Sequence, residues 1–232
     1  MLDIDICDYV VELMGYLGSK AASGAYQAII ASMPPHDVYI ETHLGGGAIM
    51  RAKPPAARSI GIDLDQTVLD AFVCDYPVDL VCGDARSTID GFDYAGSGRV
   101  LIYADPPYLH ETRTSAARYR HEYSVDDHVQ LLESLKRVPA AVILSGYPSK
   151  LYDDLLPGWR SAEFQVMTRG GVRTEKLWMN FEHNAVHWAS FAGKDFTDRQ
   201  RIKRKAERWA ANYKALPPAE QVAILAALLD PA

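Results

Sequence analysis

The chain has no apolar run near the roughly 20 residues that a membrane-spanning helix needs. Its opening, MLDIDICDYV, carries acids where a secretory leader would carry basic residues. Both features point to a cytoplasmic protein with no membrane partner. Cysteine is scarce: Cys7, Cys74 and Cys82 are odd in number and lack both C-x-x-C spacing and nearby histidines. That excludes a disulfide framework and a zinc ribbon, so no metal is expected and the cysteines read as buried thiols. Internal repeats and low-complexity linkers are missing too. So is an excess of positive charge, since 24 basic residues against 30 acidic ones leave a net −6, which at first argues against a nucleic-acid partner. What is present is an ordinary globular composition, 48% hydrophobic and 23% charged over 232 residues. It suffices for one large domain, or one domain with an appendage.

The charge is unevenly placed. Between Arg199 and Lys214 seven basic residues meet only Glu207, so the rest of the chain carries −12. Local rather than net charge sets the field close to a surface, so this stretch reads either as a phosphate-seeking stripe or as a solvated helix face.

Five short segments rich in Val, Ile and Leu read as buried strands: residues 37–42, 59–63, 78–84, 99–105 and 140–146. Helical spacing lies between several of them, over Asp65 to Cys74 and Val125 to Arg137. Apolar strands alternating with helices imply an α/β protein with a mainly parallel sheet covered on both faces. From about residue 160 the pattern changes to two alternating strands around Gly170-Gly171, an antiparallel hairpin signal. The tail reads as two helices split by Leu216-Pro217-Pro218, the second apolar and in need of a cover. Domain boundaries are therefore expected at 1–196 for the α/β body and 197–232 for a basic helical extension.

In open parallel sheets the ligand sits outside the carboxyl ends of the strands, and the unusual residues collect there. After the first strand come Gly45, Gly46 and Gly47, which permit a tight turn and close approach of a ligand to the backbone. Met50 breaks the G-x-G-x-x-G spacing, so a hydride-transfer dinucleotide site is disfavoured. Asp63 ends the second strand, where it can accept from a ribose or cap a helix, a role open equally to Asp65. Asp84 ends the third, placed to accept from an adenine amino group or to cap a turn. Glycine turn and ribose acid together point to a nucleoside-bearing cofactor.

The fourth strand ends in VLIYADPPYLH, residues 100–110. Two prolines fix two φ angles and remove two backbone donors, which holds Asp105 and the Pro106 carbonyl rigidly. Two adjacent acceptors match an exocyclic NH2 group. Tyr108 adds a ring against which a planar base can stack, for about 1 to 3 kcal/mol.

Asp105-Pro106-Pro107-Tyr108 resembles the D-P-P-Y motif of the Dam-type, amino-group-specific DNA adenine methyltransferases. The resemblance extends over residues 14–182. GYLGSK, residues 15–20, is similar to the motif in which an aromatic residue and a lysine reach the cofactor, here Tyr16 and Lys20. ETHLGGGA, residues 41–48, stands where the family has E-P-F-x-G-x-G, which puts Glu41, Gly45 and Gly47 at the cofactor. Asp63 falls on the ribose acid and Asp84 beside the cofactor adenine. RTEKLWMNF resembles the closing strand. The resemblance implies a Rossmann-like methyltransferase fold with a seven-stranded sheet and an antiparallel C-terminal hairpin. It also implies S-adenosyl-L-methionine as cofactor, and methyl transfer to the N6 amino group of adenine in double-stranded DNA.

Two departures stand out. Thr42 and His43 replace the family's Pro and Phe. Only Ala85 to Arg99 occupy the place of the usual target-recognition domain, so recognition is expected from a short loop, 109–124. That loop supplies Arg113, Arg118 and Arg120 as candidate nucleic-acid contacts, with Arg169 and Arg173 beside the hairpin glycines. Adenine methylation in RNA, or a nucleic-acid-binding module without catalysis, would present similar motifs.

Overall fold

The structure is a computed structural model that describes residues 20, 25–109, 112, 121–168, 171–182, 188–193 and 195–229. The chain divides into two compact units, 1–187 and 188–232.

The first unit is built on a seven-stranded sheet. In chain order its strands are β1 (Val38–Glu41), β2 (Arg58–Asp63), β3 (Asp79–Cys82), β4 (Val100–Ala104), β5 (Ala141–Gly146), β6 (Arg160–Thr168) and β7 (Gly171–Met179). The helices are α1 (Ala25–Ala31), α2 (Ala48–Ala52), α3 (Gln66–Ala71), α4 (Ala85–Asp90), α5 (Val125–Arg137) and α6 (Lys150–Leu155). Across the sheet the order is β3-β2-β1-β4-β5-β7-β6. The pairs from β3 through to β5 are parallel, and β7 is antiparallel to both β5 and β6. This is the Rossmann-like architecture expected from the sequence, a mainly parallel seven-stranded sheet with an antiparallel C-terminal hairpin.

The order decides where a ligand fits. From β1 the chain moves outward to β2 and β3, then returns to place β4 on the other side of β1. The topological switch point therefore lies between β1 and β4, which leaves a crevice at their carboxyl ends. Register closes the argument: Glu41 pairs with Tyr103, and the Thr42 N–H donates to the Tyr103 carbonyl at 3.0 Å. The segments that follow, 42–47 and 105–108, thus leave the sheet side by side.

The core explains the stability of this frame. β1 and β4 are buried throughout, as strands covered on both faces must be. α5 opens with a reciprocal cap between Ser124 and Asp127 and keeps Asp126 and Asp127 in its first turn, Lys136 and Arg137 in its last. Its Leu131, Leu132 and Leu135 join Ile102, Val142 and Leu144 in one cluster. Each such leucine contributes about 1.5 to 3 kcal/mol of burial.

Two sequence expectations are corrected. β3 is not a buried strand: it has one neighbour only, at the sheet edge, and Leu80 is 40% exposed. For the same reason Cys82 is exposed, and Cys74 is half-buried in the connection leading to β3, so neither is a buried thiol. Cys7 lies outside the described residues.

The second unit holds a 3-10 turn (Ala189–Phe191), α7 (Phe196–Lys214) and α8 (Pro218–Leu229). The Asp195 side chain caps α7 by accepting from the Asp198 N–H, and none of the residues of α7 is buried. Pro218 opens α8, where a missing N–H costs nothing. Among the described residues no helix is long and apolar enough to cross a membrane.

Candidate active site

The glycine turn after β1 is shaped by backbone geometry and one carboxylate. Gly45 and Gly47 hold φ of 47° and 60°, left-handed values that favour glycine. A Cβ on Gly47 would come within 2.3 Å of the Phe72 ring. Asp63, at the end of β2, accepts from the Gly45 N–H at 2.8 Å through Oδ2 and from the Asp65 N–H at 2.9 Å through Oδ1. It is therefore not a helix cap. That role belongs to Asp65, which accepts from the Thr67 N–H of α3. Asp84 caps α4 by accepting from the Ser87 N–H and hydroxyl at 2.8 and 2.9 Å. It lines a shallow recess with Arg86, His121 and Tyr123.

One cleft joins these parts. Its walls include the glycine turn (Gly45, Gly46, Gly47) with Asp63, the proline corner (Asp105, Pro106, Pro107) with Lys20 and Tyr103, and also Glu41, His43, His121 and Tyr123. The glycine turn and the proline corner, 60 residues apart in sequence, share this space because β1 and β4 are neighbours.

Asp105 sits over a buried network. Its Oδ1 takes an ion pair from Lys20 Nζ at 2.9 Å and a hydrogen bond from the Ser145 hydroxyl at 2.8 Å. Ser145 thereby spends its one proton, so the Tyr103 hydroxyl donates to Ser145 at 2.9 Å. Lys20 also donates to the Tyr108 hydroxyl and lies 3.5 Å from Glu175 Oε2. Tyr108 in turn donates to Glu175 at 3.0 Å. An ammonium has three hydrogens, and Lys20 directs them at Asp105, Tyr108 and Glu175. Among the described residues, no group meets Asp105 Oδ2. The carboxylate is thus anchored by one oxygen and presents the other.

Electrostatics follow from burial. Burial opposes charge on Lys20, yet Asp105 and Glu175 outweigh it and raise its pKa well above the ordinary lysine value. Burial raises Glu175, although Lys20 pulls the other way. Glu41 is pushed from 4.5 to about 8, chiefly by burial, against the hydrogen bond from Tyr39. His43 falls to about 3, by burial and then by the neighbouring His128, so it is neutral. Its ring links Thr42 at 2.8 Å to the Tyr123 hydroxyl at 3.1 Å. Thr42 and His43 thus tie the start of the glycine turn to Tyr123.

Several expected residues are placed differently from a simple reading of their motif. Tyr108 does not offer an open stacking face. It is 8% exposed, with Lys20 4.7 Å from its ring centre and the Tyr147 ring 4.3 Å away. Tyr147, only half-buried, is the more accessible ring. Lys20 reaches the proline corner as well as lining the cleft. Arg173 lies on β7 opposite Val166, on the hairpin and not among the cleft residues. Tyr16, Arg113, Arg118, Arg120 and Arg169 lie outside the described residues. Glu175, Ser145 and Tyr147 were not singled out from sequence. The one signal for Glu175 was its place in RTEKLWMNF; Ser145 lies within β5 and Tyr147 directly after it, and neither stands out beside the apolar run. Among the described residues no cluster is suited to a metal ion.

No family model and no curated protein matches the sequence. Among solved structures, the chain is similar to a Klebsiella pneumoniae protein provisionally described as an O-methyltransferase, at 14% identity and a TM-score of 0.48, over 78% of this chain and 92% of that one. It is similar to a cofactor-bound protein, Rv0187 from MTB, at 14% identity and 0.46, over 75% and 88%. A Pyrococcus horikoshii protein, provisionally described as an RNA methyltransferase, gives 10% identity and 0.46, over 75% and 96%. These likenesses concern the chain path; the chemistry rests on the side chains described above.

Proposed function

We propose that the protein transfers a methyl group from S-adenosylmethionine to the N6 amino group of adenine in double-stranded DNA. One observation carries the reading: the glycine turn and the Asp105-Pro106 corner line the same cleft. The cleft fits this cofactor. Asp63, Asp65 and Asp105 outnumber Lys20 along its walls, which favours a ligand bearing a sulfonium and an ammonium.

S-adenosylmethionine supplies an electrophilic methyl group on sulfur. The protein's own part is to prepare the nucleophile. The adenine amino nitrogen is poorly nucleophilic because its lone pair is drawn into the ring. Asp105 Oδ2 and the Pro106 carbonyl each accept one N–H, which favours a pyramidal nitrogen whose lone pair can take the methyl group; the S–CH3 bond breaks to leave S-adenosylhomocysteine, and the surplus amino proton leaves through Asp105 to water. Lys20 and Ser145 hold the carboxylate still while it does so. Positioning of this kind can supply about 7 to 11 kcal/mol of the barrier. A base within a duplex is out of reach, so it is flipped out to meet the corner. Tyr147, the more accessible ring, stands beside the buried Tyr108 as the stacking partner. Arg113, Arg118 and Arg120 of the 109–124 segment, with Arg169 and Arg173 on the hairpin, are proposed to contact the DNA.

The test is incubation with tritiated S-adenosylmethionine and separate DNA and RNA pools, followed by mapping of the modified base. Label in N6-methyladenine of DNA, lost in Asp105→Ala while the melting temperature holds, supports the reading. Label in RNA alone, or transfer by Asp105→Ala at the wild-type rate, refutes it.

A further inference from the structure

The catalytic unit is electrostatically ill-suited to the partner proposed for it. Residues 1–187 carry 25 acids against 16 bases, a net −9, whereas residues 188–232 carry 8 bases against 5 acids, a net +3. A polyanion approaching the first unit meets a repulsive field beyond the loop arginines, so affinity has to be supplied elsewhere.

α7 supplies it in a specific geometry. Arg201, Arg204, Lys205 and Arg208 stand at i, i+3, i+4 and i+7. At about 100° per residue this spacing gathers them on one face, within an arc of about 100°. It is the periodicity of an amphipathic stripe, written in cations instead of leucines. All four side chains are exposed. Arg201 is shared with Asp198 at 2.8 Å, but among the described residues no carboxylate reaches Arg204, Lys205 or Arg208. Like charges at i, i+4 cost an isolated helix a few tenths of a kcal/mol per pair. A partner that brings phosphates reverses that cost. The helix is 19 residues long, about 28 Å at 1.5 Å per residue, enough to follow several phosphates of a duplex. Trp209, next in sequence and 67% exposed, adds a ring beside the cationic face.

We infer that this face of α7 is a sequence-independent phosphate grip for double-stranded DNA. The inference deepens the proposed function and rests on it for the identity of the polyanion. The grip adds the affinity for phosphate that the acidic first unit lacks. Sequence choice stays with the catalytic unit, because phosphate contacts position the partner and do not read it.

The experiment is fluorescence anisotropy of a labelled DNA duplex with the full chain, repeated from low to moderate salt. Each phosphate contact contributes about 0.9 to the slope of log K against log salt. The triple variant R204Q/K205Q/R208Q, with glutamine chosen to keep helix propensity, is expected to lower that slope by about 2 to 3. It should weaken binding alike on unrelated sequences. R204K/R208K, which keeps the charge, restores the slope. K203Q removes a lysine turned away from this face and 3.9 Å from Glu207, and leaves the slope unchanged. An unaltered slope in the triple variant, or an equal loss in K203Q, overturns the inference. So does a wild-type chain that binds phosphatidylserine vesicles or RNA but no DNA duplex. The two proposals fail separately: salt-dependent duplex binding without methyl transfer keeps the grip and removes the reaction, and methyl transfer with an unaltered slope does the reverse.

Discussion

Replacing Glu41 with glutamine should stabilise the protein at neutral and alkaline pH. Glu41 is 3% exposed at the end of β1, and its Oε2 accepts from the Tyr39 hydroxyl at 3.0 Å. Burial lifts its pKa from 4.5 to about 8, so the folded state holds the proton more tightly than the unfolded chain does. The stability this group confers is complete below pH 4.5 and is lost as pH rises toward 8. At about 1.4 kcal/mol per pH unit, the loss reaches about 4 to 5 kcal/mol. Glutamine keeps an acceptor for Tyr39 and cannot ionise. The stability difference between Glu41→Gln and wild type is therefore expected near zero at pH 4.5, growing to several kcal/mol at pH 8.5. Urea denaturation followed by circular dichroism across that range measures it. A difference that does not vary with pH, or a variant less stable than wild type at pH 8, would refute the reasoning. On the proposed reading, a cationic cofactor bound in the same cleft would favour the charged form of Glu41. Titration calorimetry of S-adenosylmethionine in phosphate and in Tris at pH 7 should show proton release by the wild type and none by the variant.

Lys20→Met leaves the carboxylates of Asp105 and Glu175 without their shared cation, a loss of about 3 to 5 kcal/mol for a broken buried pair. Thermal melts should show the deficit shrinking as pH falls and Glu175, whose pKa is raised by burial, takes up a proton; a deficit equal at pH 4 and pH 8 would locate the cost elsewhere. Gly47→Ala forces a Cβ against Phe72 in a left-handed backbone, at about 1 to 3 kcal/mol. Adding Phe72→Leu should recover part of that loss in urea titrations, and no recovery would acquit the ring. Ser145→Ala removes one of the two anchors on Asp105 Oδ1. Transfer should slow at saturating substrate with cofactor affinity unchanged, and a weakened cofactor affinity instead would count against the anchoring role.

The strand segments, the hairpin and the proline corner were legible because each is a local pattern. A run of Val, Ile and Leu needs burial whatever surrounds it, two prolines stiffen any chain, and a glycine pair between alternating strands turns. Burial of the third strand was not legible, since DLVC reads alike at an edge and in the centre. Only the sheet order gives β3 one neighbour and exposes Cys82. Capping roles were ambiguous for a similar reason: Asp63 and Asp65 are both well-placed acids until the hydrogen bonds are seen, and then Asp63 serves the glycine turn while Asp65 caps α3.

Alone, the sequence determined an α/β chain with acids and glycines at its strand ends, and a rigid pair of acceptors at Asp105 and Pro106. Tertiary structure decided that the glycine turn and that corner share a cleft, because β4 returns to lie beside β1. It decided too that Glu175, 70 residues beyond Asp105, completes the cation's coordination, and that Tyr108 is turned into the protein. Contacts of that range depend on how strands are ordered in a sheet, and sheet order is set by the packing of the whole unit, which no short stretch of residues encodes.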